Sequence, residues 1–191
     1  MFRILLLAIS FLACTHTHAA GVSEPDSQWS LMASGGFGED YSGVVGLTLA
    51  TTRADGLGYY MMLEGSAGQE TSPEYQSLNG NPRGDAVIDR FGVLAQATAG
   101  ITYPVAFNIH LLGGLGYGGG QGYVELQDSA GDLGGANYFI EDRGADEEGL
   151  NVQVGAMGHY GLLSGLLAYN TFSGQVVIGV GLNFTSDWDL L

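Results

Sequence analysis

Five polar residues, Glu64, Arg90, Gln96, Gln153 and His159, fall on the enclosed side of alternating segments and form the first candidate for chemistry. A carboxylate enclosed with amides and a guanidinium calls for a hydrogen-bonded network, because an unpaired buried carboxylate is costly. The same groups in a row are also what a proton or solute path would use. His110 and His159 form a second candidate, two imidazoles on neighbouring inward faces. A metal site there would want a third ligand, and spacing supplies none. The third candidate is the acidic set Asp128, Asp132, Glu141, Asp142, Asp146, Glu147 and Glu148, whose carboxylates suit Ca²⁺ or Mg²⁺. Its spacing lacks the EF-hand pattern, so solvation is the plainer reading. No nucleophile elbow, HExxH or Lys-bearing phosphate loop occurs. Gly113–Gly120 is glycine-rich but is not followed by the helix that a dinucleotide site needs. No cofactor is expected.

The segments that must position these groups are strands. In the stretch 175–184, Val176, Ile178, Val180, Leu182 and Phe184 alternate with Gln175, Val177, Gly179, Gly181 and Asn183. Period-2 alternation over ten residues makes one greasy face and one polar or crowded face. It is also the length a tilted strand needs to cross a bilayer. Similar patterns predict strands at about 28–37, 43–52, 58–69, 90–103, 109–117, 150–160 and 165–172. The facing of 165–172 stays open, because Leu166-Leu167 permits either register. Hairpin counting sets Gln96 opposite Glu64, with Arg90 nearer the outer mouth.

Eight strands separated by short, short, long, short, long, short and short connections put both long loops, 70–89 and 118–149, at one end. Short turns at one end and long loops at the other are expected of outer-membrane barrels. Trp29, Tyr59, Tyr103, Tyr160 and Phe184 form one expected aromatic rim; Phe37, Tyr41, Tyr117 and Phe172 form the other. The fold expected is an all-β, eight-stranded antiparallel up-and-down transmembrane β-barrel.

Composition agrees. The 191 residues include 33 glycines, spread beside Tyr, Val and Leu, which suits the crowded interior of a narrow barrel. Residues 1–20 read as a signal peptide: Arg3, an apolar run from Ile4 to Ala13, then small residues before Gly21. Processing after Ala20 would remove Cys14, the single cysteine; a lipoprotein-type box around Phe11-Leu12-Ala13-Cys14 is the alternative. Loss of Arg3 takes the net charge from −15 to −16, since all twenty acids stay. Nucleic acid is therefore excluded as a partner.

Strand count, loop asymmetry and the closing strand from Val176 to Phe184 resemble the small eight-stranded outer-membrane barrels: the OmpA transmembrane domain, OmpX and Opa-type proteins. The likeness covers roughly Trp29 to Phe184. It implies a monomer in the outer membrane of a Gram-negative bacterium, in contact with lipid and lipopolysaccharide and inserted by the barrel-assembly machinery. Here Phe184 is followed by seven further residues, whereas that family's assembly signal ends on a terminal aromatic. The function expected is non-enzymatic: envelope integrity, or surface attachment through loops 70–89 and 118–149. The alternatives are a narrow pore, a barrel lipid enzyme or a soluble periplasmic binding barrel. His159-Tyr160-Gly161 resembles the His-x-Ser of lipid A deacylases, with Gly161 at the serine position and His159 pointing away from lipid. Ser164, beyond the turn, would need new geometry to substitute.

Overall fold

A computed structural model describes residues 27–38, 41, 43–66, 81, 83–106, 108–129, 131 and 137–185. The predicted signal peptide, Cys14 and most of loop 70–89 lie outside the described residues.

The alternating segments become β1 (Ser27–Phe37), β2 (Val44–Arg53), β3 (Gly58–Ser66), β4 (Ala86–Ala106), β5 (Ile109–Gln127), β6 (Asn137–Glu141), β7 (Glu147–Tyr160), β8 (Leu163–Asn170) and β9 (Gln175–Thr185). Each pairs antiparallel with the next, except that β7 follows β5 in the wall. β1 pairs back with β9 from Gln28↔Thr185 to Phe37↔Val176, closing an eight-stranded ring. Closure removes the sheet edge from the ring, so its amides can pair within the wall. β6 stands outside the ring, paired only with the far end of β5.

Outward positions carry large apolar side chains on all eight wall strands. They include Leu31, Leu47, Tyr59, Ile101, Leu115, Val154, Leu167 and Val180, with Leu115 and Val180 each 69% exposed. A soluble surface tolerates single greasy residues but not a continuous belt of them. Hydrocarbon is the solvent such a belt matches, and the chain is a membrane-spanning barrel. The rim at the end of the short turns carries Trp29, Tyr59, Tyr103, Tyr160 and Phe184, all exposed, with Trp29 directly opposite Phe184. The other rim differs from expectation. Phe37 and Tyr117 face out and Tyr169 joins them, whereas Tyr41 is buried and Phe172 packs beside it against Val44 and Leu94. Phe172 lies in a turn and Tyr41 makes an isolated bridge to Gly92 outside the named strands, where alternation no longer fixes a side chain's direction.

Region 118–149 is expected to be a long irregular loop, or one opening with an extension of the fifth strand through Tyr123, Glu125 and Gln127; the extension is present, and more strand follows it. β4 and β5 continue as a hairpin past the ring, paired to Ala86↔Gln127. β6 adds a third strand from Tyr123↔Glu141 to Gln127↔Asn137. β5 outruns its partner β7, whose pairing stops at Gly120↔Glu147, so the last seven residues of β5 project roughly 20 Å as a blade. Val124, Leu126, Tyr138 and Ile140 form a buried cluster of its own on this blade. Phe91 stacks on Tyr123 at 5.5 Å and meets Phe139 edge-on at 5.7 Å on the opposite face.

Candidate functional site

Inward positions fill the barrel in layers. Nearest the blade, Tyr41, Val44 and Leu94 pack with Phe172 as an apolar lid. Below it lies the polar network. Gln96 pairs with Glu64 across β3 and β4, and its Nε2 donates to Glu64 Oε2 at 2.6 Å. Asn170 Nδ2 donates to the same oxygen at 2.7 Å. Asn170 Oδ1 in turn accepts from Gln153 Nε2 at 2.7 Å and Asn151 Nδ2 at 3.2 Å. Asn151 Nδ2 also reaches Thr98 Oγ1 at 2.9 Å. The next layer is apolar: Met32, Tyr60, Met62, Leu112, Met157 and Leu166. The Tyr60 ring lies over Gly100 and Gly114, where any side chain would collide with it. Glycine there leaves room for an aromatic plug.

Of the five residues expected in the lumen network, the structure joins Gln96 to Glu64 directly and Gln153 to it through Asn170. His159 lies lower, beyond the methionine layer. Arg90 is a departure: it sits on the extension of β4, largely exposed, and its Nη1 bonds Asp142 Oδ2 at 3.1 Å. It follows the inward parity of β4 but lies past the last wall pairing of β3, where no lumen remains. The ion pairs among the described residues, Arg53–Asp55, Arg90–Asp142 and Arg143–Glu141, all leave Glu64 to its amides.

Asn170 is the hub that alternation missed, because the facing of its strand was ambiguous. The missing signal was available across the hairpin: Asn170 pairs with Gln175, whose facing was already set.

The acidic set is dispersed. Asp132 lies outside the described residues. Asp142 Oδ1 caps the short 3₁₀ turn at Arg143–Ala145 by accepting from Gly144 N. Glu141 pairs with Arg143, and Asp146 accepts from Gly122 N. Glu147 and Glu148 begin β7, exposed, while Asp128 is buried at the end of β5. Among the described residues, no three His, Cys, Asp or Glu side chains are placed to share a metal ion.

At the end away from the blade the lumen opens into a cavity of about 990 Å³, lined by Thr52, Arg53, His110, His159 and Asn183 among others. Here Ser164 lies directly opposite His159 across the β7–β8 hairpin, with Oγ 3.1 Å from His159 Nδ1. The register thus supplies the geometry that the turn seemed to deny. Both side chains nevertheless point inward and are buried, on the far side of the wall from lipid. Ser30 Oγ bonds Ser164 Oγ at 3.0 Å and Asn183 Oδ1 at 3.2 Å.

A closed wall of eight antiparallel strands with a greasy exterior and a packed interior is the architecture of the small outer-membrane barrels. The chain matches no protein-family model, and no curated protein matches it. Among solved structures it is similar to Ail, the attachment invasion locus protein of Yersinia pestis, crystallised with the heparin analogue sucrose octasulfate. That likeness has 14% identity and a TM-score of 0.46, over 84% of this chain and 100% of that one. It is also similar to a major outer membrane protein from Thermus thermophilus, at 12% identity and a TM-score of 0.46, over 83% of this chain and 99% of that one. At such low identity and score neither likeness carries an inference about this chain.

Proposed function

We propose that this chain is a monomeric, non-enzymatic barrel of a Gram-negative outer membrane, serving envelope integrity or attachment through the connections at its blade end. The observation that carries this reading is the filling of the lumen below a projecting blade. Eight-stranded walls enclose just enough room for side chains, and here the lid, the Glu64 network and the methionine layer occupy it in succession. A solute would have to displace all three. The blade, by contrast, leaves the aromatic stack Phe91–Tyr123–Phe139 partly exposed, beyond the reach of the hydrocarbon belt. The outer rim is then the part that meets lipopolysaccharide, and the barrel-assembly machinery is the route of insertion.

Proteolysis of intact cells tests the orientation: cuts confined to 70–89 and 118–149 support it, and cuts in the turns at 54–57 or 161–162 overturn it. Planar-bilayer recording tests the plug. Steady single-channel conductance from the purified protein would replace this reading with that of a narrow pore.

A further inference from the structure

We infer that His110 and His159 form a two-imidazole site for a late first-row divalent cation at the cavity end of the lumen, with Zn²⁺ matching the ring spacing and Cu²⁺ serving as the spectroscopic probe. The two rings stand edge-to-face with centroids 5.5 Å apart. Two imidazoles on one tetrahedral metal, with N–metal bonds of about 2.0–2.1 Å, bring their centres to roughly 5–5.5 Å, so the rings already have the necessary spacing.

Each ring also has an outer partner suited to fixing its tautomer. His110 Nε2 lies 3.3 Å from the Arg53 carbonyl oxygen, which can only accept, so Nε2 carries the proton and Nδ1 keeps its lone pair. That Nδ1 has no hydrogen-bond partner in the protein, although His110 is 5% exposed and lines the cavity. A buried lone pair without a donor is an anomaly that a cation resolves. On His159, Nδ1 faces the hydroxyls of Ser164 and Ser30, leaving Nε2 as the ligand once the Thr52 hydroxyl, 3.2 Å away, turns aside. Imidazole nitrogen suits Cu²⁺, Ni²⁺ and Zn²⁺, and affinity among them peaks at Cu²⁺. Cavity water completes the coordination, making an open two-nitrogen chelate.

The test uses the full chain refolded in detergent micelles, with folding of every variant checked by heat-modifiable gel mobility. Cu²⁺ added at one equivalent is expected to give an electron paramagnetic resonance signal split by two imidazole nitrogens. His110→Gln and His159→Gln each weaken Cu²⁺ affinity by roughly tenfold or more, and Ser164→Ala by about tenfold through the lost outer hydrogen bond. The double His variant keeps His16, His18 and all surface carboxylates, so it measures everything but the pair. A nitrogen-split signal of unchanged affinity in that variant overturns the site, as does an oxygen-only signal in the unaltered chain. Should the double variant fail to fold, Zn²⁺ protection of the unaltered chain from diethyl pyrocarbonate decides. Slower modification of His110 and His159 with Zn²⁺ supports the site, and an unchanged rate at both overturns it.

Discussion

The two ends of the barrel interior are built on the same alternating wall and filled in opposite ways. Toward the blade, inward positions carry long amides and one carboxylate, Gln96, Asn151, Gln153, Asn170 and Glu64, interlocked and covered by Tyr41, Leu94 and Phe172. Toward the other mouth they carry hydroxyls, an asparagine and two imidazoles, Ser30, Thr52, Ser164, Asn183, His110 and His159, beside a cavity that admits water. The wall therefore does not decide whether a small barrel is stoppered; the length of the inward side chains does. Amides long enough to meet across the lumen leave no space, whereas the hydroxyls and imidazoles of the other end bond one another and still leave a cavity beside them. The consequence is energetic as well as geometric. A group lost from the blade end strands its partners dry, whereas one lost beside the cavity can be replaced by water.

The sharpest way to break this contrast is Asn170→Leu. It removes one donor from a buried carboxylate and the acceptor of two amides at once. The expected loss is about 3–5 kcal/mol, as for breaking a buried charged pair, read by urea unfolding in lipid vesicles. A loss below about 1 kcal/mol would mean that water already reaches the network.

Both ends depend on one hydrocarbon belt around them. Val180→Arg places a guanidinium among exposed apolar residues midway along β9, opposite Ala33 and Gly165. It should cost about 2–4 kcal/mol in lipid and far less in a polar solvent. Equal stability of the variant and the parent in vesicles would remove the membrane from the account.

How much of this was legible beforehand follows from what fixes each side chain. Strand facing depends on period 2 alone, so the inward set on β3, from Tyr60 through Met62 to Glu64, was readable, as was the pairing of Glu64 with Gln96. Facing failed where alternation stops or is ambiguous: Tyr41 and Phe172 lie outside the strands, and Leu166-Leu167 hid Asn170. Of the blade, the extension of β5 through Tyr123, Glu125 and Gln127 was readable from alternation, but β6 was not, because it is five residues long and becomes a strand only by pairing with that overhang. Arg90 shows the limit of parity as a guide. Its face was correct, but parity gives no height, and β3 ends before the arginine is reached.

At the cavity end, Asn183→Leu is the counterpart of the Asn170 change. Asn183 accepts from Ser30 Oγ and donates to Gln28 Oε1 at 2.9 Å. Three bonds are lost, counting one to the Gly161 carbonyl, yet Gln28 and Gly161 line the cavity and Ser30 keeps Ser164, so the expected cost is only about 1 kcal/mol. A cost equal to that of Asn170→Leu would erase the difference between the ends.

The smallest effect is expected outside the lumen altogether, at Arg90. Its ion pair with Asp142 joins β4 of the blade to the 3₁₀ turn, but the Arg90 side chain is 65% exposed. Water and salt screen such pairs, so Arg90→Ala should change unfolding free energy by less than about 0.5 kcal/mol, and by nothing measurable at high salt. The comparison also turns on this variant. If Arg90 belonged to the Glu64 network, its loss would leave a buried carboxylate short of its cation, and the cost would persist at any ionic strength. Salt-insensitive destabilisation on the scale of Asn170→Leu would therefore move Arg90 into the lumen and extend the stopper up into the blade.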